Sequence, residues 1–449
     1  MAMMIYDAFV SAGKAVDSVS VTPIAAAIGF PEDQIRLFLI WFIQFPVGWF
    51  LHFCVRGKHM RHAVNLTLGS LGMLYFFGIH AGHVVLMSSI SWLMLAFLPR
   101  SMSYKAVYAY TFVYLSCSHI YTYLYHYDSY DLEITTQTMC LTLRLQALAF
   151  SYSDGAADKS KLTARQKHMM VEQLPTVIEM ASYTFFCQQC AVGVFVEYRD
   201  FINWIEETAE YKQVPNPIIP SLKYLVYAVL AVGTFVVGSG YFAVEDCWSD
   251  KFVNEMSFPQ KMLHTNFAWA FKRYFYYSAF LFETGVVIAC GLGYNGRAEV
   301  ADKDVDPKNP DQKGEHLWDK FIGVHVWECE TSDTVLTFIR GWNHRVHIFL
   351  KYYVAERLAG GERPKAWHLG AVFAIGAFWH GFYPFYYVAF FTAAMMQFAH
   401  KDVWASWLLF KPIPKPIRKA AAFVITQFSI NYCGIQQNAL LYVNGMRFM

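Results

Sequence analysis

The stretch FWHGFYPFYY, residues 378–387, sets a single histidine inside a run that otherwise reads as a buried or membrane helix. A helix that is apolar on every side belongs in a large core or a bilayer, where an imidazole without partners costs several kcal/mol. His380 is followed by Gly381, and Pro384 comes four residues on. Proline cannot donate to the carbonyl four residues back, so the sequence predicts a kink at the histidine, with Gly381 leaving room beside it.

Working outward, the 449-residue chain is 56% hydrophobic, 18% aromatic and 16% charged. Soluble domains carry about 25% charged residues, so this composition is that of a membrane protein. Apolar runs fall at about 35–55, 63–79, 83–98, 106–124, 138–150, 176–198, 222–244, 263–295, 333–358, 367–399 and 420–444, against the roughly 20 residues that a helix needs to cross a bilayer. The 138–150 run is short for a straight crossing, and the 263–295 and 367–399 runs are long, which predicts tilted, broken or re-entrant helices. The expected fold is all-α and polytopic, with about 10–11 transmembrane or re-entrant helices. No repeat of fixed period divides the chain, so an N-terminal segment over 1–34 is expected to precede one membrane domain over 35–449.

The net charge of +2 gives no sign of nucleic-acid binding. Basic residues cluster between apolar runs. RGKHMRH (56–62) and the turn from Arg100 to Lys105 lie two crossings apart and are expected on the cytosolic face. Acidic residues at Asp7, Asp17, Asp128, Asp131 and Glu133 then fall on the other side. The polar connection 296–320 reads as the longest solvated loop. Cys187 and Cys190 in FFCQQC have metal or redox spacing, but on a helix they read as small hydrophobes, and no metal site is expected.

Asn343 and His380 lie at similar separations from the turn at 359–366, each roughly 20 Å from it along a helix. An antiparallel hairpin would bring the amide and the imidazole to the same depth, far from bulk water, where a functional site is the first hypothesis. His344 and His347 read as packing or interfacial residues.

These residues resemble the membrane-bound O-acyltransferase (MBOAT) family, and within it the lysophospholipid acyltransferases. FWHGFYPFYYVAFF (378–391), WNHRVHIFLKYYV (342–354), LRLQALAFSYSDG (143–155) and LPTVIEMASYTFFCQQCAVGVFVEYRDFINWI (174–205) carry the resemblance, in family order. It implies a bundle around a buried reaction chamber and transfer of a fatty acyl chain from acyl-CoA to the free hydroxyl of a lysophospholipid. His380 would be the general base. Asn343 would hold the oxyanion, or orient the acyl group or the histidine.

Arg144 and Lys351 are candidate phosphate contacts or else snorkel to the interface, while Trp342, Trp379 and Tyr386 are candidate linings of the substrate site. Acyl-CoA is then a co-substrate, no other cofactor is expected, and the resemblance implies the endoplasmic reticulum. A sterol, diacylglycerol or protein acceptor is the alternative within the family. A transporter using His380 in a proton relay is the alternative outside it.

Overall fold

A computed structural model describes residues 21–28, 31–127, 133–298, 314–363, 365–405, 412–439 and 441–449, with the side chains of residues 28, 401–405 and 442 excepted. Most of the 1–34 segment, Asp128, Asp131 and the greater part of the 296–320 loop lie outside the described residues. Among the described residues the architecture is helical, and the one β-bridge is isolated, between Arg297 and His316. The chain divides into two compact units, Met1–Tyr114 with Asp131–Leu225 and Phe282–Ile322, and Leu115–Tyr130 with Val226–Leu281 and Gly323–Met449.

In the first unit, helix Glu32–Cys54 starts with Glu32 and Asp33 in its first turn, where carboxylates complement the exposed backbone N–H groups. Leu37, Ile40, Trp41, Gln44, Phe45, Gly48 and Leu51 are buried at helical spacing, while Phe42, Ile43, Phe50 and Phe53 point outward and are exposed. An apolar outer face on a helix whose inner face is already packed suits lipid as the surrounding medium. Among the described residues three stretches are long and apolar enough to cross a membrane, Glu32–Cys54, Lys58–Phe97 and Ile218–Ser239.

The short 138–150 run proves to be the middle of a full-length helix, Ile134–Asp154. Thr135 and Gln137 before the run, Thr138, Arg144 and Gln146 within it and Ser151 after it are all buried inside the unit. The 263–295 run, expected to be tilted, broken or re-entrant, is an unbroken helix from Phe258 to Ala289 followed by a turn.

The 176–198 run is not a membrane helix. It forms helix Val177–Thr184, a 3-10 turn at Cys187–Gln189, an irregular stretch and helix Tyr198–Ile205. Side chains take over the backbone bonding that a continuous helix would supply. Asn65 donates to the Ser182 carbonyl at 2.7 Å and accepts from the Cys187 amide at 3.1 Å, and Gln44 donates to the Cys187 carbonyl at 2.8 Å. Gly69 lets this strap approach, since a Cβ there would overlap the Phe185 carbonyl oxygen. Cys187 and Cys190 are therefore buried as free thiols in a 3-10 turn and the residue after it, and not on the face of a membrane helix.

In the second unit, the 333–358 run is also broken. Helix Val335–Gly341 ends before Trp342, helix His344–Phe349 follows, and a π-helical turn Leu350–Ala355 leads into Glu356–Ala359. Helix Ala366–His380 ends at the histidine, and Pro384 opens helix Pro384–Ala405. The kink expected at His380 is thus a complete break, with proline at a first helical position where its missing N–H is harmless.

Candidate active site

Asn343 sits at the break between two helices, with φ 39° and ψ 55°. This left-handed conformation is uncommon outside glycine, and asparagine is among the residues that tolerate it best. Flanking backbone bonds hold the break: the His325 amide donates to Gly341 at 3.0 Å and the His344 amide to Gly323 at 2.7 Å. The Asn343 carbonyl accepts from the His347 amide at 3.0 Å, yet its side chain makes no capping bond. The backbone therefore starts the helix, and the amide side chain is left for other work.

Trp342 anchors the same turn. Its ring stacks on Phe338 and meets Trp269, Tyr276, Tyr277 and Phe280 edge-on or tilted, with centroids 5.6–6.2 Å apart. Below this cluster Arg273, almost fully buried, binds Glu330 through Nε at 3.0 Å and Nη2 at 2.8 Å, and also contacts Asn431. Tyr277 donates to the same carboxylate at 2.7 Å. A bidentate guanidinium–carboxylate pair fixes both partners in one plane.

His380 is the last residue of its helix. Gly381 adopts φ 126°, which an L side chain rarely takes, and a Cβ there would meet His119 Nδ1 at 3.1 Å. The His119 ring lies in that space and its Nε2 is 3.0 Å from the Trp379 carbonyl oxygen, so a second histidine braces the turn that carries His380. The room beside Gly381, expected to admit a substrate or another helix, is taken by His119 of another helix. The His380 ring lies against Trp379, Phe390 and Tyr386, at centroid distances of 4.9, 5.2 and 5.7 Å.

One cavity of about 810 Å³ brings these groups together: Asn343, His380, Trp342, Trp379 and Lys351 all line it. Its volume falls in the range of about 300–1,000 Å³ typical of small-molecule sites. Leu336, Ile339, Val372, Phe373 and Phe390 give it an apolar wall, while Arg340 and Lys351, both exposed, add two cations. Among the described residues neither the His380 ring nor the Asn343 amide has a hydrogen-bond partner. Two polar groups that line one cavity and are hydrogen-bonded to no other side chain among the described residues are available to a ligand.

Two candidates from the sequence stand elsewhere. Tyr386 packs behind His380 and does not line the cavity. Arg144 belongs to the first unit, where it is buried with its guanidinium 4.4 Å from the Tyr183 ring centroid. His344 and His347, expected to pack or to sit at an interface, line the cavity with His325, whose ring centroid is 4.6 Å from that of His344. Sequence reasoning missed His119, His325 and Arg340. The available signal for His119 was the same as for His380, an imidazole within an aromatic span.

The family model described as MBOAT, membrane-bound O-acyltransferase family, matches residues 119–443. A Drosophila melanogaster protein named lysophospholipid acyltransferase 6 is 28% identical over 266 residues, 56% of this chain and 34% of that protein. A Gallus gallus protein named membrane-bound glycerophospholipid O-acyltransferase 2 is 24% identical over 434 residues, covering 91% of this chain and 80% of that protein. The Saccharomyces cerevisiae lysophospholipid acyltransferase is 27% identical over 285 residues, 56% of this chain and 42% of that protein. The match spans about a third of the fly protein's length and less than half of the yeast protein's.

Proposed function

Since the chain belongs to the membrane-bound O-acyltransferase family and is an integral membrane protein, we propose that it transfers a fatty acyl chain from acyl-CoA to the free hydroxyl of a lysophospholipid. The observation that carries this reading is the pairing of His380 and Asn343 on the wall of one cavity, neither side chain hydrogen-bonded among the described residues. The names of the fly, chicken and yeast relatives support a phospholipid acceptor over a sterol, a diacylglycerol or a protein.

The chemistry follows from the residues. Neutral imidazole of His380 accepts the hydroxyl proton as the oxygen attacks the thioester carbonyl. The Asn343 amide donates to the developing oxyanion, a stabilisation that is largest where water is excluded. Collapse of the tetrahedral intermediate breaks the carbon–sulfur bond. The CoA thiolate then takes the proton held by His380, so the enzyme returns to its starting state. The thioester is already activated, and no nucleophilic cysteine is needed.

Arg340 and Lys351 suit the phosphates of CoA, and Trp342 and Trp379 the acyl chain. Arg144, expected as a phosphate contact, is buried in the first unit, and Tyr386, expected to line the substrate site, packs against His380 instead. The proposed location is the endoplasmic reticulum. Purified protein in lipid, given oleoyl-CoA and mixed lysophospholipids, should yield diacyl phospholipid and free CoA. Absence of diacyl product from folded protein with every lysophospholipid headgroup would refute the acceptor class.

A further inference from the structure

The first unit contains a second, smaller recess, about 190 Å³, walled by His52, Arg56, Arg61, Trp204, Glu207 and Lys212, among others. Its charge is unbalanced. Arg56, Arg61 and Lys212 face Glu207 alone, three cations against one carboxylate, which leaves a surplus of two positive charges. Both arginines use one oxygen of that carboxylate, Arg56 Nη1 at 3.0 Å and Arg61 Nη1 at 2.8 Å from Oε1. The contrast within the unit is Lys320, which is matched by two carboxylates, Asp200 at 2.8 Å and Glu210.

Arg61 is the built part of this recess. Its side chain is 5% exposed, its guanidinium lies 4.5 Å from the Trp204 ring centroid, and its Nε is buried with no hydrogen-bond partner. A buried N–H of a charged group left unpaired is costly, so the residues around this guanidinium leave it incompletely satisfied. The segment that supplies Glu207 is strained: Glu207, in the wall, at φ 55° and Ala209, near it in the chain but outside the wall, at φ 51° are both left-handed without being glycine. Such outliers mark places where a loop is held in shape for a purpose. Arg56 and Arg61 come from the basic RGKHMRH stretch, whose charge puts it on the cytosolic face by the positive-inside pattern.

We propose that this recess binds a phosphate dianion, carried either by a lipid headgroup at the cytosolic surface or by free inorganic phosphate. Two surplus positive charges match a dianion, and planar guanidinium groups present paired N–H donors to phosphate oxygens. Trp204 and Glu207 hold the arginines in place before the ligand arrives. None of the residues assigned to acyl transfer lines the recess, and the proposal does not depend on that assignment.

The test uses the full-length chain in an uncharged detergent at constant ionic strength. Inorganic phosphate and a water-soluble, short-chain phosphatidylinositol monophosphate are titrated separately, followed by tryptophan fluorescence and Tm. Saturable binding of at least one probe is expected, weakened about tenfold or more by Lys212→Glu and by Arg56→Gln. Lys212 is exposed, so Lys212→Glu should leave the unliganded Tm unchanged. Lipid binding at least tenfold tighter than phosphate assigns the headgroup, and similar affinities assign the free ion. No saturable binding of either probe, or affinities unchanged in both variants, overturns the proposal.

Discussion

Replacing Gly381 with alanine tests how the turn carrying His380 is held. The backbone there, φ 126° and ψ −163°, lies in a region essentially restricted to glycine, and forcing another residue into it costs about 1–3 kcal/mol. The added methyl would stand 3.1 Å from His119 Nδ1 and 3.4 Å from Cε1, so the imidazole must give way by a few tenths of an ångström. That movement strains its contact with the Trp379 carbonyl, now 3.0 Å, a bond worth about 1 kcal/mol net. Together the cost is on the order of 2–4 kcal/mol. If the turn relaxes by moving His380 about 1 Å, transfer should also fall by about 10². Thermal unfolding and initial rates of acyl transfer read the two effects separately. Adding His119→Ala to Gly381→Ala removes the clash but not the backbone strain, so the double variant should lose less than the sum of the singles. Gly381→Ala with wild-type Tm and wild-type rate would refute the reasoning.

Asn343→Ala should lower the rate by about 10²–10³ if the amide binds the oxyanion, and an unaltered rate rules out that role. Asn343→Gly removes the same amide but accepts the left-handed backbone, so it should equal Asn343→Ala in rate while unfolding at a higher temperature; the two melting curves decide. Arg273→Met strips Glu330 and Asn431 of their shared partner, leaving Tyr277 bonded to a carboxylate without its cation, and should destabilise by about 3 kcal/mol, seen as a large drop in Tm. Retention of the wild-type Tm would show that the network is dispensable.

How much of this was legible in the residues depended on where the signal was local. The apolar runs gave the helical class, and His380, Gly381 and Pro384 marked a discontinuity. Asn343 stood out as an amide in an apolar run. The structure sets Asn343 and His380 on one cavity, but not as the two arms of an intact hairpin. Nothing local predicts the left-handed turn at Asn343, because its support comes from Gly323 and His325 well upstream. The 176–198 run misled for a similar reason: its apolar residues are buried by protein, and its broken backbone is bonded by Asn65 and Gln44, over a hundred residues away. Apolarity reports burial, and only the partners decide whether lipid or protein does the burying. His119 could not be tied to His380 at all, since the chain alone does not say which aromatic span lies under Gly381.

The most direct test of the central claim is acyl transfer by the wild type and by His380→Ala, measured side by side in lipid with oleoyl-CoA and mixed lysophospholipids, with mass spectrometry of diacyl products and free CoA. The account predicts diacyl phospholipid and stoichiometric CoA from the wild type, and none from a variant that keeps the wild-type Tm, because the ring lines a cavity and makes no hydrogen bond among the described residues. Normal turnover by His380→Ala would contradict the assignment of the base.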